Sequence, residues 1–283
     1  LWMLLAVFLF VTMDTVAKYL TRHYPVPQVV WARFTFHGLV LVLYLGRRSR
    51  LLGYSRRPGL QLVRATLLLA TTVFFFNALY WLPLATASAI MLTGPLLTTA
   101  LSMPLLGEPV GPRRWAGVLV GFIGALIIIR PGGGVMQWAA LLPLCSATGY
   151  ALYQLTTRRL AQYDPPLTTL LYSVSVGIPA TSLILPFYWS PPTLAHWGAM
   201  VGMGALGTIS HFCLIKAMEA APAAVVAPFS YSNLLWAILL GFVSFGELPD
   251  GWTLVGAGVL VASGLYVFHR EQVRRTERSP GNP

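Results

Sequence analysis

Charge is what this chain has least of. Only 10% of its 283 residues are Asp, Glu, Lys or Arg, and only eight are acidic. A soluble domain carries roughly a quarter charged residues, so a soluble globular chain is excluded. Cysteine is scarcer still, with Cys145 and Cys213 alone. Both fall in apolar stretches, which predicts two reduced, buried thiols and no disulfide. There is no zinc-type cysteine–histidine spacing, no phosphate loop and no nucleophile beside a base. His196 and His211 lie 15 residues apart on one apolar run, too far to share a ligand. We therefore expect no metal, no cofactor and no enzymatic activity.

In place of charge the chain carries apolar runs. Hydrophobic residues make up 56% of it, and stretches long enough to cross a hydrocarbon core, about 20 residues, recur with short polar breaks. We read ten, near 2–20, 28–46, 62–82, 86–106, 113–129, 136–157, 166–187, 195–215, 223–244 and 252–269. Ten spans leave no room for a domain outside the bilayer. The first run holds Asp14 and Lys18 and has no basic leader, so it reads as a mature helix and not as a signal peptide.

The net charge of +11 follows the same threading. Arg47, Arg48, Arg50, Arg56, Arg57 and Arg64 fall between spans two and three or at the edge of span three. Arg113 and Arg114 follow span four, Arg158 and Arg159 follow span six, and Lys216 follows span eight. Arg270, Arg274, Arg275 and Arg278 follow span ten, so that all fifteen lie on one side. Positive charge marks the cytoplasmic side. Both termini are thus placed in the cytoplasm, and nucleic acid is excluded as a partner.

Two stretches read alike. Leu106-Gly107-Glu108 and Phe245-Gly246-Glu247 each close an apolar run, and Gly117 and Gly256 each follow nine residues after the glutamate. The offset is 247 − 108 = 139 residues. Lys18-Tyr19-Leu20 with Pro25 is matched by Arg158-Arg159-Leu160 with Pro165, at 158 − 18 = 140 residues. The chain reads as one five-span unit written twice, residues 1–130 and 131–283, joined at Arg130-Pro131-Gly132-Gly133-Gly134 and ending in a short basic tail. Five is odd, so the second copy sits upside down. The expected fold is an all-α integral membrane protein, ten transmembrane helices in a five-plus-five inverted repeat around a central cavity. That pattern marks an alternating-access transporter.

Glycines recur at helical spacing: Gly117, Gly121 and Gly124 on span five, Gly198, Gly202 and Gly207 on span eight, Gly256, Gly258 and Gly264 on span ten. Such spacing lets backbones approach in lipid. Packing within one bundle is the first reading; a homodimer seam at spans five or ten is the second, and without that seam the protein is a monomer. Pro95 and Pro228 fall inside spans four and nine, where a lost backbone hydrogen bond permits a bend. We expect those two spans to act as gates.

Asp14 is the one carboxylate well inside a span. A charge there costs about 2.5–3.5 kcal/mol on insertion scales, so it needs a partner or a role. Lys18 lies one turn on, and span two brings back Arg33 and His37, again four residues apart. The bland reading is an ion pair of Asp14 with Arg33 or Lys18 that fixes spans one and two. The functional reading puts a cargo carboxylate on Lys18 or Arg33, whose planar fork suits it, and a cargo amine or a proton on Asp14. His37 is a second proton site, since histidine changes charge near neutral pH.

At the 140-residue offset the counterparts are neutral: Gln154, Ser173 and Gly177. The charged cluster then belongs to one half, which tilts the reading toward function. Phe76, Asn77, Tyr80 and Trp81 on span three, and Tyr150, Tyr153 and Gln154 on span six, would line an apolar cavity with a few polar groups. His211 on span eight and Tyr231, Asn233 and Trp236 on span nine would complete it. Tyr80 and Trp81 equally suit an aromatic belt at the external interface. Glu108 and Glu247, at span ends, read as caps or interface groups before cargo contacts.

The paired Gly-Glu endings, the Trp115-Ala116-Gly117 and Trp252 starts after them, and Ala224-Val225-Val226-Ala227-Pro228-Phe229-Ser230-Tyr231 leading to Phe245-Gly246-Glu247-Leu248-Pro249-Asp250 resemble the EamA family of the drug/metabolite transporter superfamily. The resemblance covers nearly the whole chain. It implies a central cavity between the halves, a bacterial inner-membrane location and, for most bacterial members, export. Cargo is open, since the family moves amino acids, amines, vitamins, nucleotide derivatives and drugs. One branch, the YddG-type exporters of aromatic amino acids, suits this chain. The expectation is a gradient-driven or facilitative carrier exporting amino acids, aromatic or hydrophobic ones favoured, or related small metabolites. The alternative is efflux of cationic drugs or amines, with Asp14 as counter-charge and the aromatic side chains as a cation–π cage.

Overall fold

The computed structural model describes residues 1–46, 54–107, 111–130, 136–220 and 227–278. Every regular element among them is helical. The first half of the chain forms α1 (Trp2–Thr21), α2 (Val26–Leu45), α3 (Pro58–Trp81), α4 (Leu84–Met91), α5 (Gly94–Leu106) and α6 (Pro112–Ile129). The second forms α7 (Met136–Leu160), α8 (Pro166–Ile184), α9 (Leu194–Ala220), α10 (Ser232–Phe245) and α11 (Gly251–Arg278). Single 3-10 turns lie at Leu185–Phe187 and Ala227–Tyr231.

Proline and glycine set many of the boundaries. Prolines stand in the first turns of α2, α3, α6 and α8, where their missing N–H would have no helical partner anyway. α5 and α10 stop at Gly107 and Gly246, both left-handed at φ 68°, a backbone that a side chain would strain. These are the glycines of the two Gly-Glu sequences, so each marks a helix stop. Glu108, the glycines at 132–134, and Arg47, Arg48 and Arg50 lie outside the described residues.

Among the described residues eight helical stretches are long and apolar enough to cross a bilayer: α1, α2, α3, Leu84–Leu105, α6, Leu167–Phe187, Leu194–Leu214 and Gly251–Arg270. Two of the ten runs read from the sequence are not among these eight. α7 has the length, 25 residues, but carries Gln154, Arg158 and Arg159 in its second half and is not among the eight. Residues 223–226 of the ninth run lie outside the described residues; the rest opens as a 3-10 turn at Ala227–Tyr231 and gives a shorter apolar stretch, Phe229–Phe245. The fourth run is also discontinuous: α4 stops at Met91, and α5 restarts at Gly94-Pro95.

The outer wall is apolar. Leu119, Ile123 and Leu126 of α6 are each more than half exposed (61%, 56% and 54%), as expected where lipid and not water is the solvent. Cys145 shares the exposed surface, contrary to the burial expected of it, because an apolar span buries only the face turned to its neighbours; Cys213 is buried, and both are free thiols.

Inside, α3 lies along α7, α1 along α9, α2 between α8 and α9, and α6 along α11. The main core gathers around Phe34, Phe76 and Met203, and a second around Ile90, Leu96 and Leu260 joins α6 and α11 to α4 and α5. Gly117, Gly121 and Gly124 of α6 and Gly256 of α11 are taken up by contacts within this cluster. A Cβ on Gly256 would lie 2.5 Å from the Gly124 carbonyl oxygen and 2.6 Å from the Ile128 side chain. Backbone cannot swing aside. Gly256→Val is expected to cost about 3 kcal/mol of stability by overpacking. Gly258→Val, with nothing within 4 Å of its Cβ position, should leave the melting transition in detergent unmoved.

Candidate functional site

Polar groups inside a membrane bundle are retained where they pair or face a cavity. Arg33 of α2 is 8% exposed and donates through Nη1 to the Thr72 hydroxyl of α3. Its guanidinium stands over the rings of Phe34 and Phe76, at 5.4 and 5.6 Å. Its Nε–H has no partner. Asp14 of α1 interacts electrostatically with Arg33, yet among the described residues no hydrogen bond or ion pair closes on its carboxylate. The group is enveloped by protein but keeps accessible surface. Part of it is therefore left uncovered by its neighbours.

His37, one turn beyond Arg33, is buried with Nε2 unpartnered, and its ring lies 5.3 Å from that of His211 on α9. His211 Nδ1 is 2.8 Å from the Gly207 carbonyl oxygen. That oxygen can only accept, so Nδ1 donates the proton of this contact. Phe10 meets His211 edge to face at 4.9 Å. Gly207 makes the approach of α9 possible, since its Cβ would sit 3.3 Å from Met13 Sδ and 3.5 Å from His37 Nδ1. Asp14, Arg33, His37 and His211 are thus brought together from three helices.

The sequence reading placed Arg64 among the cytoplasmic flanking charges. The structure corrects this. α3 begins at Pro58, so Arg64 is in its second turn, and it is 3% exposed. Its Nε donates to Thr157 Oγ1 at 2.6 Å, and its Nη1 to the Thr169 carbonyl and Ser173 Oγ at 2.9 and 2.8 Å. Nη2 donates to Tyr153 Oη, with the guanidinium 4.3 Å over that ring. Tyr153 stacks on Tyr150 at 5.8 Å, and Gln154 hydrogen-bonds Tyr150. The neutral counterparts Gln154 and Ser173 therefore stand beside an arginine supplied by α3. Its signal was available: Gln61 and Arg64 share one face of α3 and are both buried polar groups.

Other candidates are placed elsewhere. Lys18, 2% exposed, does not pair with Asp14. It reaches Glu247 Oε2 at 2.6 Å and the Leu82 carbonyl at 2.7 Å. Arg22 meets Glu247 Oε1 at 2.7 Å, the Leu84 N–H donates to the same carboxylate at 3.3 Å, and both cations lie over the Phe245 ring. One carboxylate thus joins α1, the α3–α4 turn and the end of α10. Tyr80 and Trp81 are 54% and 47% exposed and meet Trp138 in an edge-on cluster. Asn77 donates to its own helix at the Val73 carbonyl. Trp236 packs edge-on to Phe8 with its N–H unpartnered. Tyr231 presses its hydroxyl on Gly264 of α11, and Asn233 is half-buried on α10.

The opposite end has its own carboxylate. Asp164, in the α7–α8 turn, accepts from Ser55 Oγ, the Arg56 N–H at 2.9 Å and the Gln61 amide at 2.8 Å. Burial works to raise its pKa, but these donors and the Arg56 charge prevail and hold it below the ordinary value. A carboxyl lowered by folding stabilises fully above its unfolded pKa, about 3.9, and loses that contribution as pH falls through the folded value. Asp164→Asn is expected to melt below the parent protein at neutral pH. The gap should close as scans in detergent descend below about pH 4.

Comparison with known proteins gives a consistent result. The model of the EamA-like transporter family matches residues 1–130 and 137–268. A riboflavin transporter of Vibrio cholerae serotype O1 is 30% identical over 287 aligned residues, covering 99% of this chain and 96% of that protein. An S-adenosylmethionine uptake transporter of Rickettsia bellii is 27% identical over 274, covering 96% and 93%. A crystal structure 22% identical in sequence shares the fold, with a TM-score of 0.64 over 93% of this chain and 94% of that one.

Proposed function

The chain belongs to the EamA-like transporter family, as a multi-pass membrane protein that transports and does not catalyse, and from that premise we propose that it carries a small metabolite with an amino-acid-like head group across the bacterial inner membrane by alternating access. The observation that carries this reading is the Asp14 carboxylate on α1, without a hydrogen-bond partner among the described residues and within electrostatic reach of Arg33. A cargo ammonium satisfies Asp14, and its carboxylate lies toward Arg33. Phe10, Tyr150 and Trp236 offer the flat apolar walls that suit a ring. Of the cargoes in the relatives' names, S-adenosylmethionine joins an amino-acid head group to a flat heteroaromatic ring and fits this reading, whereas riboflavin has the ring without that head group. Export follows from the family resemblance, whereas one relative is named for uptake.

Ten crossings in two inverted units, 1–130 and 131–283, with both termini cytoplasmic, remain our architecture. Support comes from the family model matching twice in succession and from the identical left-handed stops at Gly107 and Gly246. The Lys18–Glu247–Arg22 cluster then closes the external end and has to part when the cavity opens outward. Gly117, Gly121, Gly124, Gly256 and Gly264 are occupied within the chain, with Gly258 left open, which favours a monomer.

A second reading has its own observation. Arg33 is engaged by Thr72 and its Nε is buried, which leaves Asp14 as the freer charge and suits a purely cationic cargo. Counterflow in proteoliposomes separates the two. Labelled tryptophan, riboflavin, S-adenosylmethionine and a cationic dye are offered in turn. Exchange of the dye alone, or of riboflavin alone, would sink the amino-acid-like reading; exchange of tryptophan or S-adenosylmethionine without the dye supports it.

A further inference from the structure

A cavity of about 840 Å³ opens between the start of α3 and the α7–α8 turn, at the end of the bundle opposite Glu247. Three arginines line it, Arg56, Arg57 and Arg159, together with Gly59, Gln162 and Tyr163, and no lining side chain is acidic. Two of the three are held in place. Arg57 lies over the Tyr163 ring at 5.0 Å, and Arg159 donates to the Leu105 carbonyl at the end of α5. Among the described residues the neighbouring carboxylate of Asp164 is already engaged by Ser55, Gln61 and the Arg56 N–H, and it feels the Arg56 charge. α3 opens here without a side-chain cap, and nothing lies within 4 Å of the open side of Gly59. Its first N–H groups therefore add to the positive field.

We propose that this cavity binds a phosphate-bearing anion, supplied by an anionic phospholipid headgroup or by free phosphate. Guanidinium forks match phosphate oxygens bidentately. Basic pockets between transmembrane helices on the cytoplasmic side are where charged headgroups settle. The ring of Tyr163, 38% exposed, and the side chain of Leu60 give the rim the amphipathic character of a headgroup depth. The site lies far from Asp14 and does not depend on the identity of the cargo. It draws on α3 from one half of the chain and on the α7–α8 turn from the other, so a bound phosphate would clamp the two together.

The purified full chain is studied in phosphatidylcholine nanodiscs with increasing phosphatidylglycerol, and separately in detergent with inorganic phosphate. The readouts are melting temperature and lipids retained in native mass spectrometry. Phosphatidylglycerol should raise the melting temperature and remain bound. In Arg57→Gln/Arg159→Gln its apparent affinity should fall about 30-fold, at ~1 kcal/mol for each arginine. Arg113→Gln/Arg114→Gln, which removes equal charge from the start of α6, should respond as the parent does. An equal response to inorganic phosphate makes free phosphate the source and keeps the site. No response to either ligand, or equal losses in the two double variants, overturns it. Should the first double variant fold poorly, Arg57→Gln alone, at an exposed position, gives the same comparison with a loss of about fivefold.

Discussion

Asp14→Asn is expected to reduce transport at least tenfold while leaving the protein as stable as before, or more so. The substitution keeps shape and removes charge. A cargo ammonium on a carboxylate is a charge-assisted contact of about 1.5–3 kcal/mol, and its loss corresponds to roughly 10- to 150-fold in apparent affinity. The stability side has the opposite sign to a structural ion pair. Asp14 has no hydrogen-bonded partner among the described residues, so neutralising it relieves a desolvation cost. Had the carboxylate been retained to compensate Arg33, the same change would strand a buried guanidinium and lower the melting temperature. Measuring counterflow and melting on one preparation separates the cases. Full transport with a fall in stability would return Asp14 to the scaffold.

Arg64→Ala should be the most damaging single change to the fold, costing about 3 kcal/mol or more through several charge-assisted hydrogen bonds. Four acceptors on α7 and α8 receive its N–H groups. Removing a buried charge offsets part of the loss, since Thr157 and Ser173 still donate within their own helices. The balance remains unfavourable because Tyr153 also loses the guanidinium that covers its ring at 4.3 Å. Arg64→Lys should recover less than half of the difference, because an ammonium cannot span acceptors that a planar fork reaches. Thermal melting in detergent reads both. An unchanged transition in Arg64→Ala would show that the three helices hold without this arginine.

Much of the site was legible before any coordinates. The four-residue spacings of Asp14 with Lys18 and of Arg33 with His37 put each pair on one helix face, and the structure brings Asp14, Arg33 and His37 into one interior. The spacing could not say which way Lys18 turns. That was decided by Glu247, 229 residues away in sequence, whose carboxylate and the Leu82 carbonyl lie closer to the end of α1. Arg64 was misread for a related reason. A helix start misplaced by four residues, 62 instead of Pro58, turned a buried second-turn arginine into a flanking charge. Tyr80 and Trp81 carry the same aromatic signal as Tyr150 and Tyr153, and only neighbours distinguish an outward ring from an inward one.

Local composition by itself determined the solvent, the helical class, the helix stops at Gly107 and Gly246 and the placing of a charge inside a span. These depend on hydropathy, backbone torsion and the cost of burying charge, which act within a few residues of one another. The tertiary structure decided which charges are satisfied and which are left waiting. Lys18 and Arg64 are closed off by partners from distant helices, while Asp14 is not. Pairing across a bundle depends on where remote backbone brings an acceptor, and no local periodicity encodes that.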